Sequence, residues 1–111
     1  MFQVSLQGAV QVVSSAVPLN AEHLETAKTA FEQCFGKGQP KIVFLMAGVP
    51  LLDSEGLELL LDLSDRALRC GGVVQLAEPR PLCRDILQIT GVASRFAIFD
   101  DLNAAVGSFA Q

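Results

Sequence analysis

KIVFLM, residues 41–46, is the stretch that most restricts the fold. It is a continuous apolar run bounded by GKGQP (36–40) on one side and by Gly48 and Pro50 on the other. A strand exposed to water on one face alternates polar and apolar residues. A strand with no alternation is covered on both faces, as in the parallel sheets of α/β proteins. The segment therefore reads as a central strand.

The neighbouring segments agree. Residues 2–7 (FQVSLQ) and 10–14 (VQVVS) alternate around Gly8-Ala9 and read as a hairpin. SAVPLN (15–20) is a loop. Asn20 suits the N-cap of a helix over 21–35, with Glu22 in its first turn and Leu24, Ala27, Phe31 and Phe35 on one face. A second helix spans 54–70 and stops at Gly71-Gly72, before a strand over VVQLA (73–77). A third helix over 80–90 is opened by Pro79 and Pro81 and closed by Gly91. FAIF (96–99) is a short strand. Residues 100–111 form a last helix, capped by Asp100 or Asp101, with Leu102, Ala105, Val106 and Phe109 facing inward. Strict alternation after the hairpin implies a mainly parallel sheet with right-handed crossovers. Residues 1–111 read as one α/β domain.

Composition limits the function classes. The chain has 111 residues, half of them hydrophobic and 18% charged, as a packed globular domain has. A net charge of −4 without a Lys/Arg cluster disfavours nucleic acid and anionic membranes. The start, MFQVSLQGAV, lacks the basic and long apolar regions of a signal peptide. The apolar stretch 42–52 holds Gly48 and Pro50 and is too short to span a bilayer. Cys34, Cys70 and Cys83 are odd in number and far apart. They suit a reduced, cytoplasmic protein rather than a disulfide framework. None lies near the lone His23, so no metal site is read, and nothing points to a cofactor.

DSEGLELLL (53–61) is the stretch with chemistry in it. It follows the central strand, and in open α/β sheets function gathers at strand carboxyl ends. Asp53 or Ser54 can cap the helix. Glu55, in the first turn, is favoured by the helix dipole. Gly56 permits close approach of backbone or ligand. Capping alone explains an Asp-Ser-Glu turn before a leucine run. On the helix, Leu57, Leu60, Leu61, Ser64, Ala67 and Leu68 share one face, and Glu58, Asp62, Asp65, Arg66 and Arg69 another. Leu59, Leu63 and Cys70 widen the apolar stripe to roughly half the circumference. That flank either packs on a neighbouring helix or docks a partner. A serine at the head of such a helix is a natural switch, because phosphate adds nearly two negative charges there.

Read together, DSEGL (53–57), CGGVVQLAEP (70–79), ILQITGV (86–92), RFAIFD (95–100) and DLNAA (101–105) resemble in order and spacing the STAS domain, the fold of the bacterial anti-sigma factor antagonists. The resemblance covers nearly the whole chain. It implies a small mixed, mostly parallel sheet with an N-terminal hairpin, flanked by helices. It also implies a regulatory interaction module and not an enzyme. The antagonist binds an anti-sigma factor that is also a serine kinase, is phosphorylated at an Asp-Ser-Ser-Gly turn, and is released. Here the usual acceptor position is Glu55. Three consequences stay open: the switch is lost, Glu55 imitates the phosphate, or Ser54 has become the acceptor. SSAVPLN (14–20) also replaces the family's Gly-Glu-Leu-Asp-like stretch, which casts doubt on the standard kinase partner. The partner surface expected from this reading comprises Leu57, Leu59, Leu63, Asp62 and Arg80. The alternative is a STAS subunit of an ABC-type lipid transport system, bound to the cytosolic ATPase, for which loss of the acceptor would not matter. No triad-like order of Ser, Cys, His and Asp suggests catalysis, and Asp53 with Glu55 is a poor acid/base pair at an isolated turn.

Overall fold

The computed structural model describes residues 1–36 and 38–110, so Lys37, within the expected GKGQP turn, lies outside the described residues. Five strands form one sheet: β1 (Phe2–Gln7), β2 (Val10–Ser15), β3 (Lys41–Leu45), β4 (Val73–Ala77) and β5 (Ile98–Phe99). Four helices accompany them: α1 (Leu24–Glu32), α2 (Ser54–Arg69), α3 (Pro81–Ile89) and α4 (Leu102–Ser108). Short 3-10 turns cover Ala21–His23 and Val92–Arg95.

The strand order is β1-β2-β3-β4-β5. β1 pairs antiparallel with β2, and every later pairing is parallel. Each crossover therefore steps to the next strand in the same direction. Right-handed crossovers that never reverse place their helices on one face. Ala27, Ala30 and Phe31 of α1, Leu57, Leu60 and Leu63 of α2, and Cys83 and Leu87 of α3 share a core with Val13, Ile42, Phe44, Val74 and Leu76. The opposite face is left to α4, whose Ala105 packs with Val10, Val12, Val43 and Ala77. β3 is buried on both sides, with Ile42 and Phe44 toward one core and Val43 toward the other. That is the physical reason its sequence shows no alternation. Because the order never reverses, the sheet has no switch-point crevice. The strand carboxyl ends instead carry a row of loops.

Several boundaries differ from the sequence reading. The helix expected over 21–35 is a 3-10 turn followed by α1. Asn20 caps the turn by accepting from His23 N at 3.1 Å. Beyond Glu32, Gln33, Cys34 and Phe35 donate three residues back, to Ala30, Phe31 and Glu32, so the end of the helix tightens. β5 has two residues where four were expected. α4 begins only at Leu102, because Asp101 is its cap and accepts from Ala104 N at 2.8 Å. The hairpin turn is two residues, with Gly8 at φ +62°. This is the geometry that matches strand twist and favours glycine at the first turn position.

Candidate functional site

Residues 46–53 leave β3, cross the carboxyl edge of the sheet and enter α2 at Asp53. The backbone of Asp53 is extended, and its carboxylate has two partners. Oδ1 accepts from Gly56 N at 2.9 Å, and Oδ2 accepts from Ala21 N at 3.0 Å. The first bond caps α2. The second ties the turn to the segment entering α1, 32 residues earlier. These bonds, led by that from Gly56, hold the Asp53 carboxyl below its ordinary value against a smaller opposing effect of burial. Both oxygens are thus occupied structurally, as a capping reading requires.

The loop before α1 lies directly on this turn. Leu19 N donates to Leu51 O at 3.1 Å, and Asp53 N donates to Leu19 O at 3.3 Å. Gly56 is buried beneath that contact. A Cβ there would collide with the carbonyl oxygen of Leu19 and lie 3.0 Å from its Cγ. The glycine serves backbone packing, and the close approach foreseen at this position is that of the chain's own residue 19.

Ser54 and Glu55 occupy the first two helical positions, and both are exposed. Among the described residues no hydrogen bond or ion pair restrains either side chain. Their location at a dipole-positive helix start is where a negative group is favoured.

Further along α2 lie the leucines expected at the partner surface. Leu57, Leu59 and Leu63 are 8%, 7% and 6% exposed and belong to the main core. The broad apolar stripe is explained by helix packing, since α1 lies beside α2 on the same face of the sheet. What remains accessible is a shallow cleft between the two helices. Leu59 and Leu63 form part of its floor. Glu55, Glu58 and Asp62 line it from α2, and Leu24, Lys28 and Glu32 from α1. Arg66 closes one end, pairing with Glu32 at 2.6 Å and lying 4.0 Å from the centroid of the Phe35 ring. Lys28 leans along its own helix toward Glu25, at 3.6 Å.

Asp62 is therefore at the cleft, with Glu55. Arg80 is not. It is exposed at the cap position of α3 and does not line the cleft. Its neighbour Arg84 pairs with Asp100 at 3.0 Å. Sequence reading did not single out Lys28 or Glu32, although their spacing by four on α1 was visible. It also left Glu78 unremarked. That residue has φ +56°, and its Oε2 accepts from Leu102 N at 2.9 Å, which gives α4 a second cap.

The chain matches the model of the STAS domain over residues 2–105. It is 30% identical over 109 residues to BtrV of Bordetella bronchiseptica, which carries the provisional name of an anti-sigma factor antagonist. The match covers 98% of this chain and 86% of that one. Among solved structures, a provisionally assigned anti-sigma factor antagonist of Thermotoga maritima superposes with a TM-score of 0.91 at 22% identity, over 99% of this chain and 95% of the other. The phosphorylated form of the Bacillus cell-fate determinant SpoIIAA superposes with a TM-score of 0.68 at 21% identity, over 98% and 99%.

Proposed function

The chain belongs to the STAS domain family, and on that premise we propose that it is a regulatory binding module of the anti-sigma factor antagonist type, with Glu55 as a fixed charge at the acceptor position. The observation that carries this reading is the placement of Glu55. It stands exposed at the start of α2, on the rim of the α1–α2 cleft, in the position where the resemblance puts the second hydroxyl of an Asp-Ser-Ser-Gly turn.

A carboxylate carries about one negative charge and a phosphoserine nearly two. Glu55 is thus a permanent, weaker version of the released state. The partner is a protein that contacts the head of α2, where the Glu55 charge opposes docking, and the acidic wall made by Glu58 and Asp62. An anti-sigma factor with serine-kinase activity is the partner that the resemblance implies. Ser54 lies one residue away and is exposed, but the fixed charge beside it already supplies a negative group.

Affinity capture of the tagged chain from its native cell, with mass spectrometry, identifies the partner. Titration of that partner with the parent, Glu55→Ala and Glu55→Ser then tests the role of the charge. An anti-sigma factor that binds the two variants several-fold more tightly than the parent supports the reading. Equal affinities remove the phosphate-imitation role. Capture of an ABC ATPase with its permease overturns the antagonist reading in favour of transport support.

A further inference from the structure

We propose that β1 is a self-association edge, which pairs antiparallel with the β1 of a second copy of this chain about a two-fold axis through Val4.

β1 is an outer strand of the sheet, six residues long. Its hairpin closes on the pair Gln7–Val10 around a two-residue turn. In such a hairpin the closing pair is hydrogen-bonded, and bonded positions then alternate. Gln3, Ser5 and Gln7 therefore spend their backbone groups on β2, and Phe2, Val4 and Leu6 direct theirs outward. Natural edges are blunted by charge, proline, bulges or brevity. β5, at the other end of the sheet, uses brevity, with two residues. β1 uses none of these. FQVSLQ has no charge and no proline, and its six-pair register with β2 is unbroken. The first charged side chain in the sequence is Glu22. The side chains of the hairpin are thus uncharged, on a chain whose net charge is −4, and the nearest charged side chain at its turn is Lys41 of β3.

The side chains argue for a second copy as the occupant. Phe2 and Val4 are half-buried against the core on the α1 side, but Leu6, on the same face of the strand, is 63% exposed. A two-fold axis at Val4 sets Val4 opposite Val4 of the partner copy and Phe2 opposite its Leu6. Three outward backbone positions on each copy are then satisfied together. Leu6 is covered by an aromatic ring, and no like charges meet. A strand pair of this length buries less than the roughly 1,200 Å² typical of lasting complexes, so the association is reversible.

Sedimentation equilibrium of the full chain over a concentration series reads the association. The weight-average mass is expected to rise toward twice the monomer's. Leu6→Lys, at an exposed position, is expected to abolish the rise while leaving the melting curve unchanged. Register is read by oxidising mixtures in a Cys70→Ser background. The proposed axis sets residue 3 opposite residue 5, so Gln3→Cys with Ser5→Cys should cross-link in several-fold excess over either variant alone. A chain that stays monomeric at every concentration overturns the proposal. So does a dimer that survives Leu6→Lys, or cross-linking without preference for the mixed pair.

Discussion

Asp53 Oδ2 accepts the backbone N–H of Ala21 at 3.0 Å, and so the turn that opens α2 is fastened to the segment that opens α1. The same carboxylate caps α2 through Gly56. One side chain thus fixes how the two helices that form the cleft begin.

Asp53→Ala removes a cap and the bond to Ala21 together. The expected cost is about 1–3 kcal/mol, from the usual worth of a cap plus one further hydrogen bond. Asp53→Asn keeps one acceptor and should fall between. Urea unfolding of the three proteins checks the order.

The contribution of Asp53 also depends on pH. Its carboxyl is held below the ordinary 3.8, chiefly by the Gly56 N–H. A depressed carboxyl stabilises the fold fully above its unfolded value and loses that contribution as pH falls through the folded one. The gap in urea midpoint between the parent and Asp53→Asn should be level above about pH 5 and close below about pH 4. A gap unchanged down to pH 2 would show that charge plays no part.

Gly56→Ala pushes a methyl group into the carbonyl of Leu19. Backbone must move, and a loss of about 2–4 kcal/mol is expected, far more than the small gain alanine gives inside an open helix. A variant as stable as the parent would mean that the 16–20 loop yields freely. Chemical denaturation decides this directly.

Leu59→Asp should unfold the chain or cost more than about 3 kcal/mol, because it places an unpaired charge in the core. Asp62→Lys is exposed and should change stability by no more than about 0.5 kcal/mol. Partner binding is therefore tested with Asp62→Lys, which should weaken a partner that uses the acidic wall. Circular dichroism melts beside the binding titrations separate the two effects.

Thiol reactivity should divide the cysteines. Burial pushes the Cys34 thiol up to about 11 and raises that of Cys83, while Cys70 is exposed. A thiolate reagent at neutral pH should label Cys70 alone in the folded chain and all three cysteines in urea. Fast labelling of Cys34 or Cys83 under native conditions would reveal local opening of the core.

Much of this molecule was legible in its sequence because the signals are local. The missing alternation in KIVFLM identified a strand covered on both faces, and β3 is such a strand. Asp53 read as a cap, and it is one. The motif order gave the family, since glycines, caps and strand patterns are fixed by backbone requirements that each short segment carries in itself. Helix ends were less legible, as at residues 33–35, because tight and regular turns differ by one hydrogen-bond step. The fate of Leu59 and Leu63 was not legible at all. A wide apolar stripe looks the same whether a neighbour or a partner covers it. The monotonic strand order decided the matter, since right-handed crossovers then set α1 beside α2 on one face and closed the leucines beneath it. Contacts between residues far apart in the chain, such as Ala21 on Asp53 and Leu19 on Gly56, exist only once that order brings the loops together.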